Sequence, residues 1–170
     1  MLRKREEPLR VLFYGNRQAG MIALLTVAAM GHEIIEVWDD EGVGLPGPIT
    51  ATKTISRELP RGRQGDLFLC AHGWRVVPDH VLRGFRYKVN MHPFLDTCPG
   101  LNPVERAIEL NVTEAALFAH HMTETIDDGD VLTYTKTPMP DKPTVERVYN
   151  VLYPLYADVA RSVLACISGR

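Results

Sequence analysis

The sequence predicts an α/β fold: an open, mostly parallel sheet flanked by helices, built as a single domain over residues 1–170. Three observations carry this. The apolar run Leu9 to Tyr14 stops at Gly15, a stretch of helix formers follows, and a second apolar run, HEIIEVW, comes after Gly31. Strand, glycine turn, helix and strand in that order form a βαβ unit with a right-handed crossover. Further strand-length runs, Asp66 to Ala71 and Phe85 to Met91, repeat the alternation. Finally, 170 residues at 45% hydrophobic and 24% charged can bury one core and keep an ordinary soluble surface.

Taken in order, Leu9 to Tyr14 is the first strand, and Met21 to Met30 is a helix that Gly31 ends as a C-cap residue. The turn between them, Gly15-Asn16-Arg17-Gln18-Ala19-Gly20, has no Gly-x-Gly-x-x-Gly and no Walker pattern, so it is no dinucleotide or P-loop fingerprint. Its glycines suit a tight turn and close helix packing. Asn16, Arg17 and Gln18, at a helix N-terminus, are candidates to reach a phosphate or sugar of a substrate. His32 to Trp38 is the second strand. Asp39 to Gly65, rich in Gly and Pro, reads as a long irregular stretch with a short helix expected around Thr54 to Glu58. A loop of that length is uncommon without function.

Asp66 to Ala71 is a buried-type strand, followed by the loop His72 to Pro78 and a short helix from Pro78 to Leu82 that Gly84 ends. The next strand, from Phe85, is expected to stop at Asn90-Met91-His92-Pro93, because Pro93 has no backbone donor and cannot continue a central strand. After the loop Leu95 to Pro99, Asn102-Pro103 opens a helix with Val104, Ala107, Ile108 and Leu110 on its apolar face. Glu114 to Met122 and Val131 to Thr137 are strands. Pro138 to Pro143 breaks the pattern, and Thr144 caps a helix over Arg147 to Cys166 that Pro154 is expected to kink.

Composition excludes several classes of function. The net charge is −2, and the basic Leu2-Arg3-Lys4-Arg5 is followed at once by Glu6 and Glu7, so a solvated terminus and no nucleic-acid partner are expected. Cys70, Cys98 and Cys166 are odd in number and far apart, which indicates neither a disulfide framework nor a zinc ribbon. Cys70 and Cys166 lie in apolar runs and are expected to be buried. Cys98 has no His or Asp beside it in the local sequence and reads as a small loop residue rather than a nucleophile. A reducing, cytoplasmic setting fits. The charged start leads into a run of strand length and Met21 to Met30 is too short to span a bilayer, so neither a signal peptide nor a membrane span is expected.

Chemistry concentrates between Tyr87 and Leu132. Asn90 and His92, two apart on an extended backbone, point to the same side. They stand at the C-terminal end of a strand, where open α/β sheets bind ligands. Ile126-Asp127-Asp128-Gly129-Asp130 is a turn with three carboxylates. A carboxylate beside a His and an Asn suits acid–base work on an amine or carbonyl, and the Asn amide offers a fixed donor to a developing oxyanion. His120 and His121 point to opposite faces, so at most one faces the site. With no third ligand spaced for a metal, they read as strand histidines.

Asn90-Met91-His92-Pro93, Pro99-Gly100, a helix, His120-His121-Met122 and Ile126-Asp127-Asp128-Gly129-Asp130-Val131 together resemble, in order and spacing, the folate-dependent formyltransferase family. That family includes glycinamide ribonucleotide transformylase, methionyl-tRNA formyltransferase and the amino-sugar N-formyltransferases. The resemblance is close over Tyr87 to Leu132 and follows strand order over the first ninety residues.

It implies a Rossmann-like fold and transfer of a formyl group from 10-formyltetrahydrofolate to a primary amine of a small molecule, with no metal. Asn90, His92 and Asp127 would be the catalytic residues. Trp74, Arg75, Val76 and Val77 would line the pteridine slot with Ile126, Asp128 and Gly129, and Asn16, Arg17 and Gln18 would lie toward the acceptor. His72 reads as a loop histidine. Two stretches depart from the family: Asp39 to Gly65 is short, and Phe94-Leu95-Asp96-Thr97-Cys98 replaces the usual Leu-Leu-Pro with its following aromatic and basic residues. The extra C-terminal domain of tRNA-acting and many sugar-acting members is not among the 170 residues, which with the net negative charge argues against tRNA as the acceptor. The expectation is a nucleotide-linked amino sugar as acceptor. The alternatives are glycinamide ribonucleotide, water (a formyltetrahydrofolate hydrolase), or a non-catalytic folate-binding protein.

Overall fold

The computed structural model describes residues 7–39, 55–56 and 62–169. In chain order the elements are β1 (Arg10–Gly15), α1 (Arg17–Ala29), β2 (Glu33–Trp38), β3 (Ile55–Ser56), β4 (Gly65–Ala71), α2 (Asp79–Leu82), β5 (Phe85–Pro93), α3 (Pro103–Glu109), β6 (Glu114–His121), β7 (Val131–Pro138) and α4 (Val145–Ser168). The strands form one seven-stranded sheet in the order β3-β2-β1-β4-β5-β6-β7. Pairing is parallel from β3 to β5 and antiparallel from β5 to β7. The strand order reverses between β1 and β4, so the crevice outside the carboxyl ends of β1, β4 and β5 is the topological switch point at which such sheets hold ligands.

Central strands covered on both faces read as unbroken apolar runs. Val11 to Tyr14 and Leu67 to Leu69 are accordingly buried along their whole length. One face of the sheet packs Val11, Phe13, Val89, Met91 and Leu117 against α1 and α4. The other carries an edge-to-face aromatic ladder, Tyr14–Trp38–Phe68–Phe85, with ring centroids 5.8, 5.6 and 5.6 Å apart, and Val81 and Leu82 of α2 complete that layer. Helix α4 is long and apolar enough to cross a membrane by composition. Its apolar side, including Val148, Leu152, Tyr156, Val159 and Val163, is instead buried in this core. Thr144 caps it by accepting the Arg147 N–H, and Gly169 ends it at φ 72°.

Several expectations are corrected. Helix α1 starts at Arg17, not Met21, because Asn16 is an extended N-cap (φ −132°, ψ 160°) and the turn closes directly into helix. Within the span expected to hold a short helix, Ile55–Ser56 are strand, paired in parallel with Val37 and Trp38. The rest of Thr54 to Glu58, most of Asp39 to Gly65, and the basic cluster at Leu2 to Arg5 lie outside the described residues.

Strand β5 runs on through Pro93. Its β4 partner has already ended at the Ala71–Met91 pair, and only β6 accompanies it to the Pro93–Leu117 pair. The missing proline donor therefore leaves no gap on the β4 side. The chain turns one residue later, at Phe94, in the left-handed region at φ 53°. Leu110 is exposed rather than part of the α3 apolar face, since α3 ends at Glu109. Cys166 is exposed, because the buried stripe of α4 runs through Val163 and Leu164 and leaves Cys166 on the outside.

Candidate active site

Two backbone facts assemble the site. The antiparallel register of β5 and β6 sets Asn90 directly opposite His120. The loop from Thr123 to Asp130 then returns to the end of β6, where the His121 N–H donates to the Asp130 carbonyl at 2.9 Å. Gly129 lies flat on that strand, and a Cβ there would fall 1.8 Å from the His121 carbonyl oxygen, so only glycine fits. Asp127 adopts the left-handed region at φ 56°, which Asp tolerates better than most side chains, and this turns its carboxylate back over β5.

The carboxylate is the hub. Its Oδ2 accepts the Gly100 N–H at 2.9 Å and lies 3.2 Å from His92 Nε2. Its Oδ1 lies 3.5 Å from both Asn90 Nδ2 and His120 Nε2. Asn90 Nδ2 and His120 Nε2 are themselves 3.3 Å apart. The side chains of His92, Asp127 and His120 are 11%, 7% and 2% exposed, so these interactions are little screened by water.

His92 also meets a carbonyl at each ring nitrogen, Pro93 at 2.7 Å from Nδ1 and Gly100 at 3.0 Å from Nε2. A neutral imidazole donates from only one nitrogen, so oxygen acceptors on both favour the cation. Burial pulls the His92 pKa down, but the hydrogen bond and charge of Asp127 and the Gly100 and Pro93 carbonyls carry it above its ordinary value. Burial pushes Asp127 up, yet the hydrogen bonds from His120 and His92, the His92 charge and the Gly100 N–H hold it well below the usual carboxylate range. Both directions favour an imidazolium against a carboxylate.

A cavity of about 850 Å³ opens over this cluster, within the range of small-molecule sites. Asn90, His92, His120 and Asp127 line its floor, Gly73 to Val77 one wall, and Gly100, Met122 and Ile126 the other. Trp74, Arg75, Val76, Val77 and Ile126, the cofactor candidates of the sequence, all line this cavity. Val77 is also buried in the α2 layer of the core. Asp128 is exposed, and neither it nor Gly129 lines the cavity. Their places are the loop surface and the packing contact on β6.

The three acceptor candidates do not line the cavity either. Asn16 is 2% exposed and its Nδ2 donates to the His72 carbonyl at 3.1 Å, bracing β1 against the loop after β4. The Arg17 guanidinium lies over the Trp74 ring, 4.6 Å from its centroid, and Gln18 sits on the exposed first turn of α1. His72, at φ 62°, is a loop residue with its ring against Trp74 and Tyr149.

His120 belongs to the motif that carries the family resemblance but reads from sequence as a strand histidine without a role; the register that pairs it with Asn90 brings it into the site. Cys98 is fully buried in the core and cannot serve as a nucleophile. Among the described residues, no group of three or more His, Cys, Asp or Glu side chains is placed to share a metal ion.

Comparison with known proteins places this geometry. A family model described as Formyl transferase matches residues 51–159. Methionyl-tRNA formyltransferase of Hydrogenovibrio crunogenus is 25% identical over 94% of this chain and 59% of its own length. The methionyl-tRNA formyltransferase of Nitrobacter winogradskyi is 26% identical over 95% of this chain and 60% of its own. The chain therefore spans about 60% of the length of the curated relatives it matches.

Among solved structures, glycinamide ribonucleotide transformylase 1 from Symbiobacterium toebii superposes with a TM-score of 0.82 at 18% identity, covering 100% of this chain and 92% of the other. A formyltetrahydrofolate deformylase from Pseudomonas syringae pv. tomato superposes with a TM-score of 0.77 at 16% identity, covering 96% and 63%. At these identities the structures share the fold.

Proposed function

The chain belongs to the formyl transferase family, and from that premise we propose that residues 1–170 form one catalytic unit that transfers a formyl group from 10-formyltetrahydrofolate to a primary amine of a small molecule. The observation that carries this reading is the Asn90–His92–His120–Asp127 cluster on the floor of the cavity. The wall suits the donor: Val76, Val77, Met122 and Ile126 offer apolar contact to a flat ring, and the loop backbone offers polar groups to its edge. The bound donor supplies the formyl carbon that the amine attacks.

The chain's own residues do the rest. The Asn90 amide donates a hydrogen bond to the formyl oxygen as it gains charge, and the charge of His92, whose two N–H groups face Pro93 and Gly100 with Asp127, stabilises that oxygen electrostatically. Asp127 keeps His92 charged and oriented and draws the proton from the attacking amine, directly or through a water; the bond between the formyl carbon and the donor's N10 then breaks, and that proton is passed to the departing tetrahydrofolate nitrogen. His120 holds Asn90 and Asp127 in register. For the acceptor we propose the amine of a nucleotide-linked amino sugar, with glycinamide ribonucleotide as the runner-up.

The test is to mix purified protein with 10-formyltetrahydrofolate and a panel of amines: amino-sugar nucleotides, glycinamide ribonucleotide, free amino acids and methionyl-tRNA. The last is included because the relatives above are named for it. Tetrahydrofolate release is followed by absorbance against a no-amine control. Release that depends on an amino-sugar nucleotide supports the reading in full. Dependence on another amine keeps the transfer and changes the acceptor. Release without any amine makes the protein a hydrolase, and absence of donor binding overturns the proposal.

A further inference from the structure

Tyr14 lies fully buried on β1, with its ring edge-on to Trp38. A phenol so deep in an apolar layer needs partners for its hydroxyl. The Tyr14 oxygen accepts two backbone donors, the Trp74 N–H at 3.0 Å and the Arg75 N–H at 2.9 Å. A phenol oxygen has acceptor capacity for both. These are two consecutive residues of the cavity wall.

The same loop is tied twice more to the start of α1, just after β1, by Asn16 Nδ2 on the His72 carbonyl and by the Arg17 guanidinium over the Trp74 ring. Gly73 lies directly on the phenol. A Cβ there would fall 2.4 Å from Tyr14 Cε1 and 2.6 Å from Cys70 Sγ. The wall has little packing of its own, since Trp74 and Val76 are 50% and 68% exposed. Its shape is therefore set from beneath.

We infer that Tyr14 is a positioning residue for the formyl donor. Its hydroxyl fixes the backbone of Trp74 and Arg75, and so the surface that Trp74, Arg75 and Val76 present to the donor's ring. The inference rests on the proposed function, in that the cavity's ligand is the folate donor. A Tyr14 that only filled space would be replaceable by Phe, the residue found in the same aromatic layer at Phe68 and Phe85.

The experiment compares the full chain with its Tyr14→Phe variant in three measurements: titration with 5-formyltetrahydrofolate as a stable probe, steady-state kinetics with 10-formyltetrahydrofolate, and amide exchange at Trp74 and Arg75. Losing the acceptor of two hydrogen bonds should weaken probe binding and raise KM for the donor about tenfold, with kcat at saturating donor held within roughly twofold. The two amides should lose protection in the variant.

Gly73→Ala keeps the hydroxyl but crowds the loop off it, and should also weaken probe binding. It serves as the second variant should Tyr14→Phe fold poorly. Wild-type affinity in either folded variant, or a fall in kcat with KM unchanged, overturns the inference. A wild-type protein that binds no probe overturns the proposed function and this donor role together. In that case the amide exchange still reports whether the clamp exists.

Discussion

The floor and the wall of the cavity are held by different means. On the floor, Asn90, His92, His120 and Asp127 stand on strand ends and one tight loop, His120 buried and the others partly buried, and each is held by others of the set. On the wall, Trp74 and Val76 are largely exposed, and what is fixed is the backbone of Trp74 and Arg75, through Tyr14. A buried charge network concentrates electrostatic work, because little water screens it. An exposed loop on a backbone clamp offers shape and hydrogen-bonding edges. Changes on the floor should therefore appear in kcat, and changes on the wall in donor affinity.

The hardest test of that division is Asp127→Asn. It keeps the shape of the hub and removes its charge. We expect kcat to fall by about a hundredfold or more, with donor affinity nearly intact. The pH profile should change as well. In the wild type, Asp127 holds His92 above its ordinary pKa, so the rate should fall only as pH rises past that raised value. In the variant, burial is left to pull His92 down, and the basic limb should move to lower pH.

Stability follows the same sign. His92's contribution is complete below its unfolded pKa and is lost as pH rises through the raised folded value. Asp127's contribution is present above the ordinary carboxylate value and is lost as pH falls through its lowered one. A basic limb that stays in place would mean that His92 does not act as a cation. Next in size is Asn90→Ala, which removes one donor from the floor. A loss on the order of a hundredfold in kcat with unchanged 5-formyltetrahydrofolate binding is expected. A loss confined to KM would move Asn90 to the wall's side of the division.

On the wall, Val76→Ser keeps the backbone and trims apolar contact. Burying such a side chain against a ligand is worth roughly 1.5–3 kcal/mol when complete. Val76 is 68% exposed and would be covered only in part by a bound donor, so KM for the donor should rise several-fold at unchanged kcat. A drop in kcat would show that the wall also orders the floor.

How much of this was legible in the sequence follows from the same division. Asn90, His92 and Asp127 could be read because local rules suffice: period two on a strand, a proline after it, and an acidic glycine turn. His120 could be matched as part of the same pattern but not given a role, since that comes from pairing with Asn90 across an antiparallel register that no local pattern states. Tyr14 read as one more apolar strand residue, because its two backbone partners lie sixty residues away. Pro93 misled in the other direction. The rule against proline in a central strand assumes a neighbour on each side, and β4 has ended before Pro93 is reached. Asn16 and Arg17 read from sequence as a polar turn at a helix start, and their contacts to the His72 carbonyl and the Trp74 ring lie beyond any local pattern.

The smallest expected effect concerns the thiols, and it reads the wall directly. Cys166 is exposed on α4, far along the chain from the cavity residues, while Cys70 and Cys98 are buried. Alkylation of the native protein should modify Cys166 first and leave kcat and KM unchanged. Cys98, fully enclosed in the core, should react only on unfolding. Cys70 lies between these cases. Its sulfur sits directly beneath Gly73, so it is shielded by the very loop that Tyr14 holds. Its labelling rate should be slow in the wild type, slower with 5-formyltetrahydrofolate bound, and faster in Tyr14→Phe at a temperature where Cys98 still does not react. If Cys70 and Cys98 respond alike in all three conditions, the wall opens only with the whole fold, and floor and wall are one cooperative unit rather than two.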